Sequence, residues 1–206
     1  MKRLLAAFAV VVAVAAAALT SSDSASAEAR WRLDFEPGDF SYVVVGPNNG
    51  TGRVQYFLPY TVKNDSAGER APGLRLEVRT ETKKTFGDHF GARAYKAIAK
   101  DLKKKKVSST FQLRSKKLAK GTSAEGSAHF GRMDDNADEL EVRVYGLWNP
   151  VYTDKKGKRW RENRVLVLKY RRYGDEYRRY EDDISLLSRS TEVEGVRSQM
   201  KHPADK

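Results

Sequence analysis

The sequence predicts an all-β fold, a two-sheet antiparallel β-sandwich with one inserted helix. Three observations carry that expectation. Several segments alternate apolar and polar residues, as half-buried strands do. Turn residues punctuate them at short intervals, and no stretch shows the strand–helix–strand order of a parallel sheet. Cys is absent from the 206 residues. Disulfides, thiolate metal sites, Cys nucleophiles and a lipid-modified Cys are therefore excluded, and packing alone must join the sheets.

The elements follow in order. Trp31, Leu33 and Phe35 alternate within residues 29–39, and Pro37-Gly38 closes this first strand. Residues 40–45 form the next, leading to Pro47-Asn48-Asn49-Gly50. Asn-Gly between strands is a hairpin signal, because both residues tolerate positive φ. Residues 53–64 carry the longest alternation, with Val54, Tyr56, Leu58, Tyr60 and Val62 on one side and Phe57 as the large apolar exception on the other. Pro59 lacks an N–H and places an edge or bulge there. After a polar loop, Leu74, Leu76 and Val78 mark a second half-buried strand over residues 74–82. Asp88 is placed to cap a helix over residues 91–105, whose narrow stripe is Ala94, Ile98 and Leu102.

A strand is expected at 107–113, a polar turn at 121–126, and a short strand at 127–131. An acidic loop at 133–139 comes before the strand of Leu140, Val142, Val144 and Trp148, where Gly146 marks a bulge or close approach. A polar connection over 149–163 leads to residues 164–173, apolar on both faces at Val165 to Leu168 and therefore central. Gly174-Asp175 turns the chain into an edge strand at 177–187. Residues 188–206 show no period and few large apolar side chains, the pattern of a disordered tail.

Lys2 and Arg3 precede an apolar run from Leu4 to Leu19, and Ala25-Ser26-Ala27 offers a small-residue cleavage site. The run, about 16 residues, is shorter than the ~20 of a spanning helix. Residues 1–27 are thus expected to be an export signal, 28–187 the sandwich domain and 188–206 the tail. The destination is periplasmic or extracellular, with no stable membrane insertion after cleavage. Lys and Arg number 39 against 27 Asp and Glu, a formal charge of +12. Such a surface favours an anionic polymer, although the partner could equally be another exported protein.

Tyr56-x-x-x-Tyr60-Thr61-Val62-x-Asn64, then Gly121-x-x-x-x-Gly126-x-x-x-Phe130 ahead of an acidic loop, then Leu140-x-Val142-x-Val144-x-Gly146-Leu147, resemble immunoglobulin-like domains of exported bacterial proteins. The resemblance covers residues 40–173. It implies an immunoglobulin-like sandwich and an export route, with the Asn after the strand opening a turn, and it supplies no catalytic residue and no cofactor.

Chemistry-bearing groups are few. The 3 histidines, His89, His129 and His202, lack metal-ligand spacing, and no nucleophile elbow or phosphate loop is present. Asp88-His89 reads as a helix cap beside a histidine, or as an acid/base pair. Asp134, Asn136 and Asp138 offer oxygens at alternate positions of a loop, as calcium loops do, without the Gly and Glu of an EF-hand. Asn49-Gly-Thr and Asn64-Asp-Ser have the form of glycosylation sequons.

The densest unusual feature is Lys169-Tyr170-Arg171-Arg172-Tyr173 followed by Tyr177-Arg178-Arg179-Tyr180. A hairpin would set Arg171, Arg172, Tyr173, Tyr177, Arg178 and Arg179 side by side, suited to holding phosphate or sulfate and stacking on rings. Lys103, Lys104, Lys105 and Lys106 add a second basic segment at the helix end. The sequence thus points to a non-enzymatic exported binding or structural module. A polyanion binder using the Arg/Tyr hairpin and the Lys-rich helix is the alternative.

Overall fold

The longest alternation becomes the centre of one sheet. In a computed structural model, which describes residues 31–46, 52–153, 159–173 and 184–198, the elements run β1 (Asp34–Pro37), β2 (Ser41–Val45), β3 (Arg53–Lys63), β4 (Arg75–Thr80), β5 (Thr85–Gly87), α1 (Ala92–Asp101), α2 (Thr110–Arg114), β6 (Ser123–Gly131), β7 (Glu139–Tyr145), β8 (Val151–Thr153), β9 (Arg159–Arg172) and β10 (Ile184–Ser198). β3 pairs antiparallel with β6 along one side and with β2 and then β1 along the other. The second antiparallel sheet runs β5–β4–β7–β9–β10, with β8 also paired to β9. The expectation of two antiparallel sheets is met.

Parity places the core. Tyr56, Leu58, Tyr60 and Val62 of β3 face Leu76, Val78, Leu140, Val142, Val144, Leu166 and Leu168 of the second sheet in one buried cluster. Residues 38–40 bulge past Pro59, and Gly38 N–H donates to the Pro59 carbonyl at 2.8 Å, so the proline sits opposite a break between β1 and β2. Gly146 has φ +83, and a Cβ there would lie 2.4 Å from the Gly73 carbonyl oxygen. That close approach is the one the sequence marks.

Phe57 explains itself once α1 is placed. It points away from the sandwich core and is nevertheless fully buried, packed with Val43 and Ile98 in a separate cluster. α1 therefore lies on the outer face of the first sheet as a third layer rather than at the end of the sandwich. Its cap is Gly91 without a side-chain bond, whereas Asp88 Oδ1 accepts from the His129 N–H at 2.8 Å. Lys103, at φ +52, ends the helix in the left-handed conformation. Lys104 N–H reaches the Ala99 carbonyl and Lys103 N–H that of Lys100, the pair of bonds that closes a Schellman turn.

Four further expectations are corrected. Residues 107–113 do not form a strand: Ser109 and Gln112 make a reciprocal capping box that starts α2, so the described chain has two helices rather than one. The turn at 121–126 gives way to β6 from Ser123, because the pairing with β3 extends to Ser123↔Lys63. The polar connection contains β8 and the start of β9. Finally, β10 continues through Ser198 where a tail was expected from Ser188. It is an edge strand whose side chains are largely exposed, so it needs no apolar period, and its pairing with β9 runs from Ile184↔Arg172 to Ser198↔Trp160. Arg189 in β10 also donates to the Phe35 carbonyl of the first sheet at 2.8 Å.

Candidate functional site

The Lys-rich segment lies on the outermost layer. Lys96 and Lys100 are one helical turn apart on the exposed side of α1, and the Schellman turn brings Lys104, Lys105 and Lys106 back beside them. These five lysines line one open groove of about 450 Å³ floored by Phe90, Tyr95, Ala99, Val107 and Gln112. Phe90 is 61% exposed and stacks on Tyr95 at 5.2 Å between ring centroids. Tyr95 is buried and anchored, its hydroxyl donating to the Ser127 carbonyl at 2.7 Å, and burial raises its pKa. Among the described residues, only Lys104 of the five has an ion-pair partner, Glu125. Lys103, the other member of the predicted run, is exposed at the helix end.

Like charges four residues apart cost a helix about 0.2–0.5 kcal/mol per pair. α1 carries Lys96 and Lys100 in that relation and has no acidic residue in its first turn. Only Lys100 is repaid by the helix dipole, at the C-terminal turn. A neighbouring groove of about 420 Å³ shares Lys104, Lys106 and Val107 but also takes in Glu36 and Glu125, so its charge is balanced. The excess of positive potential falls on the Phe90 side.

The Arg/Tyr hairpin is arranged differently from expectation. Arg172 is 3% exposed. It sits on the same inward parity as Leu168 and Tyr170, donating to the Tyr56 hydroxyl at 3.1 Å and to the carbonyls of Asp134, Asp135 and Ala137. It is therefore removed from the polyanion site. Arg171 faces out but pairs with Glu139, and Tyr173 is exposed. Tyr177, Arg178 and Arg179 lie outside the described residues. Arg171 belongs to the second sheet and α1 covers the outer face of the first, so the basic segments occupy different layers. Strand parity alone would have separated Arg172 from Arg171.

The acidic loop holds a cation of its own. Its carbonyls at residues 134, 135 and 137 turn inward onto the Arg172 guanidinium. Asp134 Oδ2 accepts from Thr82 Oγ1 at 2.5 Å and pairs with Lys84 at 3.0 Å, while Oδ1 accepts from the Asn136 N–H at 3.3 Å. These bonds, that from Thr82 first, hold its carboxyl down to about 2. Asn136 and Asp138 are exposed, and no three His, Asp or Glu side chains gather for a metal among the described residues. Of the predicted calcium triplet, Asp134 is thus engaged by Thr82, Lys84 and the Asn136 N–H.

Asp88, His89 and His129 do converge, a cluster that sequence spacing could not show across 40 residues. The two rings are 4.3 Å apart, and His129 is buried between the His89 carbonyl at 3.2 Å and Gln55 Oε1 at 3.0 Å. Burial lowers the His129 pKa and raises that of Asp88. The polar atoms of Asp88 and His129 are engaged with the backbone, Gln55 and Thr110, His89 is exposed with its Nδ1 3.4 Å from the Gly87 carbonyl, and none of the three lines either groove. Asn64 is likewise spent: fully buried, its Nδ2 donates to the carbonyls of Gly68 and Leu118, which leaves no amide for a glycan, while its Oδ1 accepts from Ser66 and shapes the turn after β3. Comparison with family models, curated proteins and solved structures finds no match.

Proposed function

We propose that this chain is an exported, non-enzymatic β-sandwich module of immunoglobulin-like type whose working surface is the α1 groove. There it takes a polyanion, a ligand carrying closely spaced phosphate, sulfate or carboxylate groups. The observation that carries the reading is the gathering of Lys96, Lys100, Lys104, Lys105 and Lys106 around an aromatic floor, with Glu125 as the one paired acid. Lysines clustered against like-charge repulsion raise the local concentration of anions, and each contact releases counterions when the ligand binds. The export route rests on residues 1–27 and on the likeness described above; the fold type rests on that likeness and on the two antiparallel sheets.

Retention of the exported protein on immobilised heparin tests the groove. The triple variant Lys96→Ala, Lys100→Ala, Lys105→Ala is expected to elute at markedly lower salt than the parent. Arg171→Ala, which removes a residue paired with Glu139, is expected to elute close to it. Equal elution of the triple variant and the parent would remove the groove from the reading.

A further inference from the structure

The groove carries more than charge. Phe111 is 74% exposed and Phe90 is 61% exposed, the two most exposed of the large apolar side chains described. Phe90 lines the groove, and Phe111 precedes Gln112, which lines it too. Both rings are held on ordered supports. Phe90 stacks on the anchored Tyr95, and Phe111 stands in the first turn of α2, fixed by the Ser109–Gln112 capping box. A ring in a polymer site lies against the flat group it stacks on, whereas a ring standing out from the surface can enter an apolar layer. Phe90 standing out beside the lysines, with Phe111 exposed on the residue before Gln112, fits a surface that is anionic at the headgroups and apolar just beneath them.

Resting on the polyanion reading of the same groove, we infer that its ligand is the anionic face of a lipid bilayer, on which the domain lies without spanning it. The lysines meet the phosphate headgroups, and Phe90 and Phe111 enter the boundary between headgroup and acyl chain. Charge supplies the complementarity, with a net +12 over the chain and five lysines at the contact. No described helix is long and apolar enough to cross a membrane. Neither aromatic is spent on the core, since the α1 cluster is Val43, Phe57 and Ile98.

Co-sedimentation of the exported protein with vesicles is the test. Phosphatidylglycerol-containing vesicles are expected to bind it, and pure phosphatidylcholine vesicles are not. The double variant Phe90→Ser, Phe111→Ser should lose vesicle binding about tenfold or more, because the rings no longer leave water for the acyl boundary. An unchanged circular-dichroism melt shows that the variant folds. Vesicle binding equal to the parent's would overturn the inference. So would a parent protein held by heparin that ignores anionic vesicles, which makes a soluble polymer the ligand and leaves the groove reading standing. Loss of both heparin and vesicle binding by the parent removes the groove reading as well.

Discussion

Arg172 and Asp134 lock one corner of the sandwich from opposite ends of the same loop. Arg172 gathers the carbonyls of residues 134, 135 and 137, while the Asp134 carboxylate reaches Thr82 and Lys84 in the turn between β4 and β5. Hydrogen bonding keeps Asp134 ionised down to about 2, below the ordinary 3.8. A carboxyl depressed on folding stabilises the protein above its unfolded pKa, and the contribution disappears as pH falls from about 4 toward 2. Asp134→Asn is therefore expected to lower the urea midpoint at pH 7 and to lose less of it between pH 4 and pH 2.5 than the parent does. Parallel losses for the two proteins over that interval would show that Asp134 carries no such linkage.

At the scale of elements, what the sequence discloses depends on which face a segment buries. The rows on β3, β4 and β7 were legible because each strand buries one face, so period two maps directly onto the core. Phe57 was legible only as an exception, because its partner Ile98 lies about 40 residues away on a third layer. The α2 start was readable in Ser109 and Gln112, but four apolar or β-branched residues in 107–113, Val107, Thr110, Phe111 and Leu113, weigh equally toward a strand. Of the polyanion candidates, the lysine run sits on the predicted surface, whereas Arg172 is withdrawn by the parity of its own strand. β10 was legible only over residues 184–187, the end of the expected edge strand. Through Glu194 its Ser, Glu and Arg side chains are exposed at an edge, and only the long-range pairing with β9 selects a strand beyond residue 187. That strand also closes over Arg143, which is 5% exposed and bonds to Glu141, Glu192 and Glu194. Deleting residues 188–206 would strip two of those carboxylates from a buried guanidinium. A loss of about 3 kcal/mol or more is expected in denaturant unfolding. An unchanged midpoint would mean that the segment behaves as the tail its composition suggests.

At the scale of the whole fold, charge among the described residues is divided by layer. Glu77, Glu141, Glu192 and Glu194 answer Arg79 and Arg143 across the outer face of the second sheet, so that face is a closed network. The first sheet carries α1, whose lysines stay mostly unanswered. Association driven by diffuse charge would shelter basic residues everywhere, whereas a layered distribution confines the contact to one side. Lysine acetylation followed by mass spectrometry separates the two without any substitution that disturbs folding. With heparin present, Lys96, Lys100, Lys105 and Lys106 are expected to lose reactivity severalfold. Lys63 and Lys117, paired with Asp65 and Glu69 away from the groove, should react as before. Raising the salt concentration should erase the protection, because the lysine contacts weaken as counterions compete. Uniform protection across both sets would mean that the whole basic surface binds and that the arrangement of lysines on α1 confers no site.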